Sequence, residues 1–215
     1  INFEECSRIS TEGLEFLQEG LSSMKSLVHY TLGINHCNNI ILDSQLPLLI
    51  REMPSLESLG LAIENCFDVT DEGMQAIRNQ LKKLNILKRV NFTLSGLNGI
   101  RNKGFESLLD GIQSTSEIES LKIKVTNCKY VNDEGFKILR DSTKSMTSLK
   151  FLSLEFGEQN KMKGSVDSNN ISNRLFDLLK DVLQHTRLLE SLELKFSACK
   201  EISDKGLGSF KDAFI

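Results

Sequence analysis

Apolar and polar residues alternate in short stretches that recur along the chain. Leu59, Leu61 and Ile63 are separated by single residues, and this period of two is typical of a β-strand with one buried face. Ile1 and Phe3 form the end of a similar stretch. Five further stretches share the pattern, at 27–34, 87–94, 118–125, 149–156 and 189–196. The alternation therefore predicts seven strands.

Each predicted strand is followed by a segment with helical spacing. Met74, Ile77, Leu81 and Leu84 step by three or four residues, which places them on one face of a helix. Similar stripes lie within 14–24, 136–146 and 176–186. The second unit is shorter, with Pro54 near the end of its predicted helix. Residues suited to cap a helix stand at five predicted starts: Ser10, Thr70, Asn132, Ser172 and Ser203.

The strand and the helix together form a unit that repeats about every 31 residues, giving about seven units. The glycines of the predicted helix starts are Gly13, Gly73, Gly104, Gly135 and Gly206. We expect each glycine to let its helix start approach the neighbouring unit closely. The five cysteines share one phase of the repeat just after the strand: Cys6, Cys37, Cys66, Cys128 and Cys199. Extra residues in one unit predict an insertion loop at about 157–170.

One strand and one helix in each unit predict a parallel sheet with crossover helices. Neighbouring strands lie about 4.8 Å apart, whereas packed helices need about 8–10 Å. The stack must therefore curve with its strands inside. The sequence predicts an α/β horseshoe, a solenoid with a parallel β-sheet on the concave face and α-helices on the convex face. We expect a single domain over 1–215 that is a segment of a longer chain, because neither end has the pattern of a polar cap.

The pattern Leu-x-x-Leu-x-Leu-x-Ile-x-x-Cys-x-x-Val-Thr-Asp-x-Gly at 56–73 resembles a leucine-rich repeat. It is closest to the cysteine-containing subclass found in many F-box substrate adaptors, and it is similar to the ribonuclease-inhibitor subclass. The resemblance covers nearly the whole chain. It implies a leucine-rich-repeat solenoid that binds other proteins, with substrate recognition in a ubiquitin ligase as one setting.

Composition excludes several classes of function. The net charge of -3, from 26 basic and 29 acidic residues, disfavours a nucleic-acid partner, because such proteins need a basic surplus. No apolar run approaches the ~20 residues that span a bilayer, so we expect no membrane insertion. Five cysteines without a Cys-x-x-Cys pair argue against zinc. The absence of a signal-peptide pattern favours a cytoplasmic, reducing compartment with five free thiols.

No set of residues predicts catalysis. His36 precedes Cys37, but adjacent residues point apart and no third partner for a triad is apparent. Asp71, Asp133 and Asp204 recur at helix starts, where the helix dipole favours negative charge. We therefore expect no enzyme activity, cofactor, metal or small-molecule substrate within these residues. An enzyme domain attached outside this segment stays open as an alternative.

The strand positions between the core residues should form columns on the concave face. Lys124 and Glu155 should be lateral neighbours that can pair, and Phe151 is the best aromatic anchor for a partner. The small residues Gly33, Gly60 and Ala62 should leave room near the N-terminal end. The candidate partner-binding residues are Arg89, Asn91, Lys122, Lys124, Phe151, Glu155, Glu193 and Lys195. The alternatives are a solvated sheet without a partner and a partner contact through the polar 157–170 loop.

These expectations converge on a non-catalytic scaffold that binds a protein partner in a multi-subunit complex. One setting is an intracellular assembly associated with the cytoskeleton or the cilium. A second is the substrate-recognition domain of an F-box-type ubiquitin ligase. A repeat region joined to an enzyme domain, or an inhibitor that clamps an enzyme, remains a further alternative.

Overall fold

Seven parallel strands and seven α-helices alternate along the chain in a computed structural model, which describes residues 1–6, 8–37, 42–158 and 171–211. The strands are β1 (Asn2–Glu4), β2 (His29–Asn35), β3 (Ser58–Glu64), β4 (Arg89–Ser95), β5 (Ser120–Thr126), β6 (Phe151–Gly157) and β7 (Ser191–Ser197). The helices are α1 (Thr11–Ser22), α2 (Leu42–Leu49), α3 (Asp71–Leu81), α4 (Asn102–Ile112), α5 (Lys137–Ser145), α6 (Arg174–His185) and α7 (Asp204–Lys211). A 3-10 turn, Asp133–Phe136, leads into α5.

The sheet order follows the chain order from β1 to β7, and every neighbouring pair is parallel. Each repeat unit, a strand with the helix that follows it, forms one coil of the chain. Each coil therefore contacts the coils next to it, as in a solenoid. The predicted α/β solenoid with parallel strands is confirmed. No helix in the described ranges is both long and apolar enough to cross a bilayer.

The alternation predicts which residues of each strand face the core, and this prediction is confirmed. Leu59, Leu61 and Ile63 are buried between the sheet and the helices, and so are their equivalents in β2, β4, β5 and β6. In β7 the same positions, Leu192 and Leu194, are only partly buried. Phenylalanine rings continue the core from the fourth coil to the seventh, with contacting pairs Phe105–Phe136, Phe136–Phe156, Phe156–Phe196, Phe176–Phe196 and Phe176–Phe210.

The helices bury most residues of the apolar stripes that the sequence predicts, although Leu17 and Leu183 are only partly buried and Met24 is exposed. Met74, Ile77 and Leu81 of α3 are buried, whereas Met24 lies just after α1 and is about half exposed. Met24 belongs to the first coil, where the structure describes no preceding coil to cover it. The stripe prediction is therefore wrong for Met24 because a repeat covers only the faces that a neighbouring coil reaches.

Three of the predicted helix caps form as expected. The side chains of Ser10, Thr70 and Asn132 accept backbone N–H groups of the following turn. Ser172 is not the N-cap of α6, because Asn173 takes that position. The Ser172 hydroxyl still accepts the N–H of Arg174 at 3.3 Å.

An acidic or amide side chain binds the next coil at the starts of α2, α3, α4 and α6 and in the 3-10 turn before α5. Asp71 Oδ1 accepts the backbone N–H of Arg101 at 2.7 Å and that of Gly104 at 2.9 Å. Asn102 accepts from Asn132 in the same way, at 2.9 Å. Side chains that accept such bonds from the next coil form a ladder along the helix starts: Asp43, Asp71, Asn102, Asp133 and Asn173. The aspartates thus hold neighbouring coils together, in addition to lying at the positive end of a helix.

The glycines of the helix starts make room for this ladder. A Cβ on Gly73 or Gly104 would overlap the carboxylate of the preceding coil, Asp43 or Asp71 respectively. Gly135 and Gly206 face Asn102 and Asn173 in the same way. The predicted close approach is confirmed for these four. Gly13, in the first coil, has no such contact.

The cysteines occupy equivalent places in the first, second, third, fifth and seventh coils. Each Sγ lies 3.2–3.6 Å from the carbonyl oxygen two residues earlier. In Cys37, Cys66 and Cys128 the Sγ also approaches a carbonyl of the preceding coil at 3.7–3.8 Å. These three thiols are buried, while Cys6 and Cys199 are partly exposed, and all five are free. The cysteines therefore form the structural ladder that their common phase predicts.

The insertion predicted at about 157–170 lies almost wholly outside the described residues. Gly157 ends β6, and its φ of +127° is one that a glycine tolerates. Glu158 still donates its N–H to the Ser197 carbonyl at 2.9 Å.

Candidate protein-binding face

Three columns of side chains cover the concave face, because the strands pair without a shift in register. The first column is His29, Ser58, Arg89, Ser120, Phe151 and Ser191. The second is Thr31, Gly60, Asn91, Lys122, Ser153 and Glu193. The third is Gly33, Ala62, Thr93, Lys124, Glu155 and Lys195. All eight candidate residues therefore share one surface.

The C-terminal half of this face carries paired charges. Lys124 Nζ lies 3.4 Å from Glu155 Oε1, so the predicted lateral pair forms. Glu193 accepts from Lys195 at 2.9 Å and from the Ser153 hydroxyl at 2.8 Å. The hydrogen bond from Lys195, with that from Ser153, lowers the pKa of Glu193 below its usual range. This half is therefore neutralised within the protein.

Phe151 lies between these pairs and the N-terminal half. Its side chain is half-buried, and Lys122 Nζ lies 4.9 Å from the centre of its ring. This distance is within the range of a cation–π contact. Phe151 is therefore less exposed than the sequence predicts, because the lysine of the adjacent strand covers part of its ring.

The N-terminal half has room where the side chains are small. A depression of about 220 Å³ lies over Gly60, with the Thr31 hydroxyl oxygen 2.9 Å from the place that a Cβ on Gly60 would take. Its lining includes the side chains of Thr31, Arg89, Asn91 and Lys122. The room predicted at Gly33 is absent, since the Asn2 side chain of the first strand occupies the place that a Cβ would take. Sequence alternation alone does not reveal this contact between coils.

Charges also alternate along the rim where the strands begin. Lys88 Nζ lies 3.2 Å from Glu57 Oε1, and Lys150 Nζ lies 3.7 Å from Glu119 Oε1. These pairs link neighbouring coils at the solvent-exposed edge. Such exposed pairs contribute about 0–1 kcal/mol each, so they set the charge of the rim more than its stability.

His36 and Cys37 do not form a catalytic arrangement. His36 has a φ of +52°, and the equivalent residues Asn65, Gly96 and Asn127 share this left-handed conformation. The Cys37 thiol faces backbone carbonyls. Among the described residues, no group of three or more His, Cys, Asp or Glu side chains is placed to hold a metal ion.

The coil geometry, the inward-facing repeat residues and the exposed columns define a leucine-rich-repeat solenoid. No protein-family model matches the sequence, and no curated protein is similar to it in sequence. The fold is similar to that of a chain in the crystal structure of the Rad7 and Elc1 complex in yeast, with a TM-score of 0.59 and 18% identity. That match covers 100% of this chain and 46% of the other, so this chain spans less than half of it.

Two further solved structures are similar at lower TM-scores. One is leiomodin-1 actin-binding site 2, with a TM-score of 0.45 and 12% identity, covering 94% of this chain and 85% of that chain. The other is the tropomodulin C-terminal domain of Caenorhabditis elegans, with a TM-score of 0.46 and 12% identity, covering 93% of this chain and 90% of that chain. At 18% identity, the match to the chain in the Rad7 and Elc1 complex describes the fold alone.

Proposed function

We propose that this chain is a non-catalytic scaffold that binds a protein partner through its concave face. The observation that carries the proposal is the unshifted strand register, which aligns the exposed side chains of six coils into columns. A pre-formed face of this kind binds without ordering a loop, which lowers the entropic cost of association. The proposed contact residues are Arg89, Asn91, Lys122, Lys124, Phe151, Glu155, Glu193 and Lys195.

Phe151 and Lys122 are the proposed centre of the contact. Aromatic and basic side chains near the middle of an interface carry much of its binding energy when a partner excludes water from them. The paired charges of the C-terminal half would add orientation more than affinity, because each is already satisfied within the protein.

The proposed setting is a subunit of a larger intracellular assembly, associated with the cytoskeleton or the cilium. A similar fold in the Rad7 and Elc1 complex supports membership of a multi-protein complex. The alternative is the substrate-recognition domain of an F-box-type ubiquitin ligase. The cysteine ladder favours that alternative, because its phase matches the cysteine-containing subclass of leucine-rich repeats that the sequence resembles.

A charge reversal on the face tests the proposal. Proteins that co-purify with the native, tagged protein are identified by mass spectrometry and compared with those of Lys122→Glu combined with Lys124→Glu. We expect the recovery of a specific partner to fall about tenfold or more, since a lost interfacial charge pair costs about 2–5 kcal/mol.

The matched control reverses two lysines outside the concave columns. Lys83 follows α3 and Lys103 lies in α4, and both are exposed. Lys83→Glu combined with Lys103→Glu makes the same change in net charge and should leave the partner bound. Equal recovery with both double variants, each folded by circular dichroism, would place the interface elsewhere on the protein.

A further inference from the structure

We propose that the depression over Gly60 is a subsite for an acidic side chain of the partner, held by Arg89, Asn91 and Lys122. This inference rests on the proposed function, since it assumes that a protein partner lies on the concave face. It adds two points to that function: the contacting segment of the partner is acidic, and it lies on the N-terminal half of the face.

The shape of the depression fits a side chain. Gly60 lies among its lining residues, with Arg89 and Asn91 contributed by the neighbouring strand β4. Its volume of about 220 Å³ is below the ~300–1,000 Å³ of pockets that enclose a small molecule. A site of this size on an open sheet accommodates one or two side chains of a bound segment.

Two of the polar side chains that line the depression, Arg89 and Lys122, are hydrogen-bond donors only. Arg89 and Lys122 form no ion pair with another described residue, and Arg89 Nη2 lies 3.5 Å from His29 Nδ1. The hydroxyl of Thr31 and the amide of Asn91 add neutral donors. On the rim beside the depression, Glu57 is already bound by Lys88 at 3.2 Å. Among the described residues, no carboxylate therefore lies within ion-pair distance of this positive charge, and Glu193 acts on Lys122 only at longer range.

Lys122 is positioned before any partner arrives. Its ammonium group lies against the Phe151 ring at 4.9 Å, while the side chain also lines the depression. A lysine loses rotamer entropy when it binds an anion, and a side chain already held on an aromatic ring loses less. The contact with Phe151 therefore favours a fixed anion position beside Lys122.

The charges across the whole face favour an acidic protein segment over a nucleic acid. Binding a phosphate backbone needs several adjacent cations, whereas only two unpaired ones line the depression. Further along the sheet, in β6 and β7, Glu155 and Glu193 already bind Lys124 and Lys195, so these two lysines are not free to bind a continuing chain of phosphates. A peptide matches the charges of both halves of the face if it has an acidic residue over Gly60 and residues of no net charge over the C-terminal half.

Selection from a random peptide library displayed on phage tests this inference with the purified chain. We expect the selected peptides to be rich in Asp and Glu and to bind more weakly as salt is raised. Replacing the acidic residues of a selected peptide by their amides should abolish binding. Arg89→Glu combined with Lys122→Glu should weaken binding about tenfold or more, while Lys83→Glu combined with Lys103→Glu should not.

A second arm uses Phe151→Leu, which keeps an apolar side chain but removes the ring beneath Lys122. We expect this variant to weaken binding of the acidic peptides by several-fold, because Lys122 loses the ring that holds its ammonium group in place before binding. Hydrogen exchange should show protection of β3, β4 and β5 by the bound peptide.

The outcomes separate this inference from the proposed function. Selected peptides without acidic enrichment that protect the strands would overturn the acidic subsite and leave concave-face binding standing. Peptides that protect only the helices, or a selection that yields no binder to the strands, would overturn the subsite. A random single-stranded oligonucleotide that binds more tightly than the peptides, and loses affinity in the Arg89 and Lys122 double variant, would assign the subsite to nucleic acid instead.

Discussion

The Asp71 carboxylate accepts the backbone N–H of Gly104, one coil further along the chain, at a distance of 2.9 Å. The same carboxylate occupies the place that a Cβ on Gly104 would take. The hydrogen bond between coils and the identity of the glycine therefore depend on each other. The same relationship recurs between Asp43 and Gly73, so the close approach is a property of the repeat.

Replacing Gly104 by alanine should destabilise the protein by roughly 1–3 kcal/mol, as expected for inserting a methyl group into a closely packed site. The ordinary gain of helix propensity for alanine over glycine, about 1 kcal/mol, offsets part of the cost. Gly20→Ala is the control, because nothing lies within 4 Å of its Cβ position in α1. Urea unfolding should show Gly20→Ala to be neutral or slightly stabilising. Stabilisation by both substitutions would contradict the close contact.

The alternation of buried and exposed positions predicts a large cost for one residue of β5 and a small cost for its neighbour. Ile123 is buried and Lys122 is exposed on the concave face. Ile123→Ala should cost about 2–5 kcal/mol by leaving a cavity in the core. Lys122→Ala removes only the contact with Phe151 and should cost about 1 kcal/mol or less. Equilibrium unfolding of both variants checks this, and similar costs would mean that the two side chains share one environment.

Tyr30 carries a hydroxyl that is buried without a hydrogen-bond partner among the described residues. Burial raises the pKa of this phenol well above its usual value. Tyr30→Phe should stabilise the protein by about 1–3 kcal/mol, because an unsatisfied buried polar group carries its full desolvation cost. Tyr130, on the exposed rim, provides the control. Tyr130→Phe should change the free energy of unfolding little, and loss of stability in Tyr30→Phe would indicate a hydrogen bond to that hydroxyl.

The cysteine ladder predicts an order of thiol reactivity. Burial raises the pKa of Cys128 to about 11, so little of the reactive thiolate forms at neutral pH. The partly exposed Cys199 and Cys6 should react with a thiol reagent well before Cys128 does. Mass spectrometry of the labelled native protein measures this order. In denaturant all five should react at similar rates, and equally rapid labelling of Cys128 in the native protein would contradict its burial.

On the concave face, the sequence pattern predicts one of the side-chain contacts and does not predict another. The pair of Lys124 and Glu155 follows from the repeat length alone, because two residues in the same phase of adjacent parallel strands become lateral neighbours. The contact of Lys122 with Phe151 joins different columns, since Lys122 is in the second and Phe151 in the first. It depends on the direction that a long side chain takes across the sheet, which residue spacing does not encode.

The sequence by itself determined the solenoid, the buried strand positions and the membership of the three columns. These features follow from two periodicities, a period of two within each strand and a repeat of about 31 residues, which act locally or between adjacent coils. Only the tertiary structure decided that Asn2 fills the space at Gly33, that the aspartates bind the next coil and that Gly60, not Gly33, lines the depression. Each of these depends on the rotamer that one side chain adopts against another coil, and packing in three dimensions selects that rotamer.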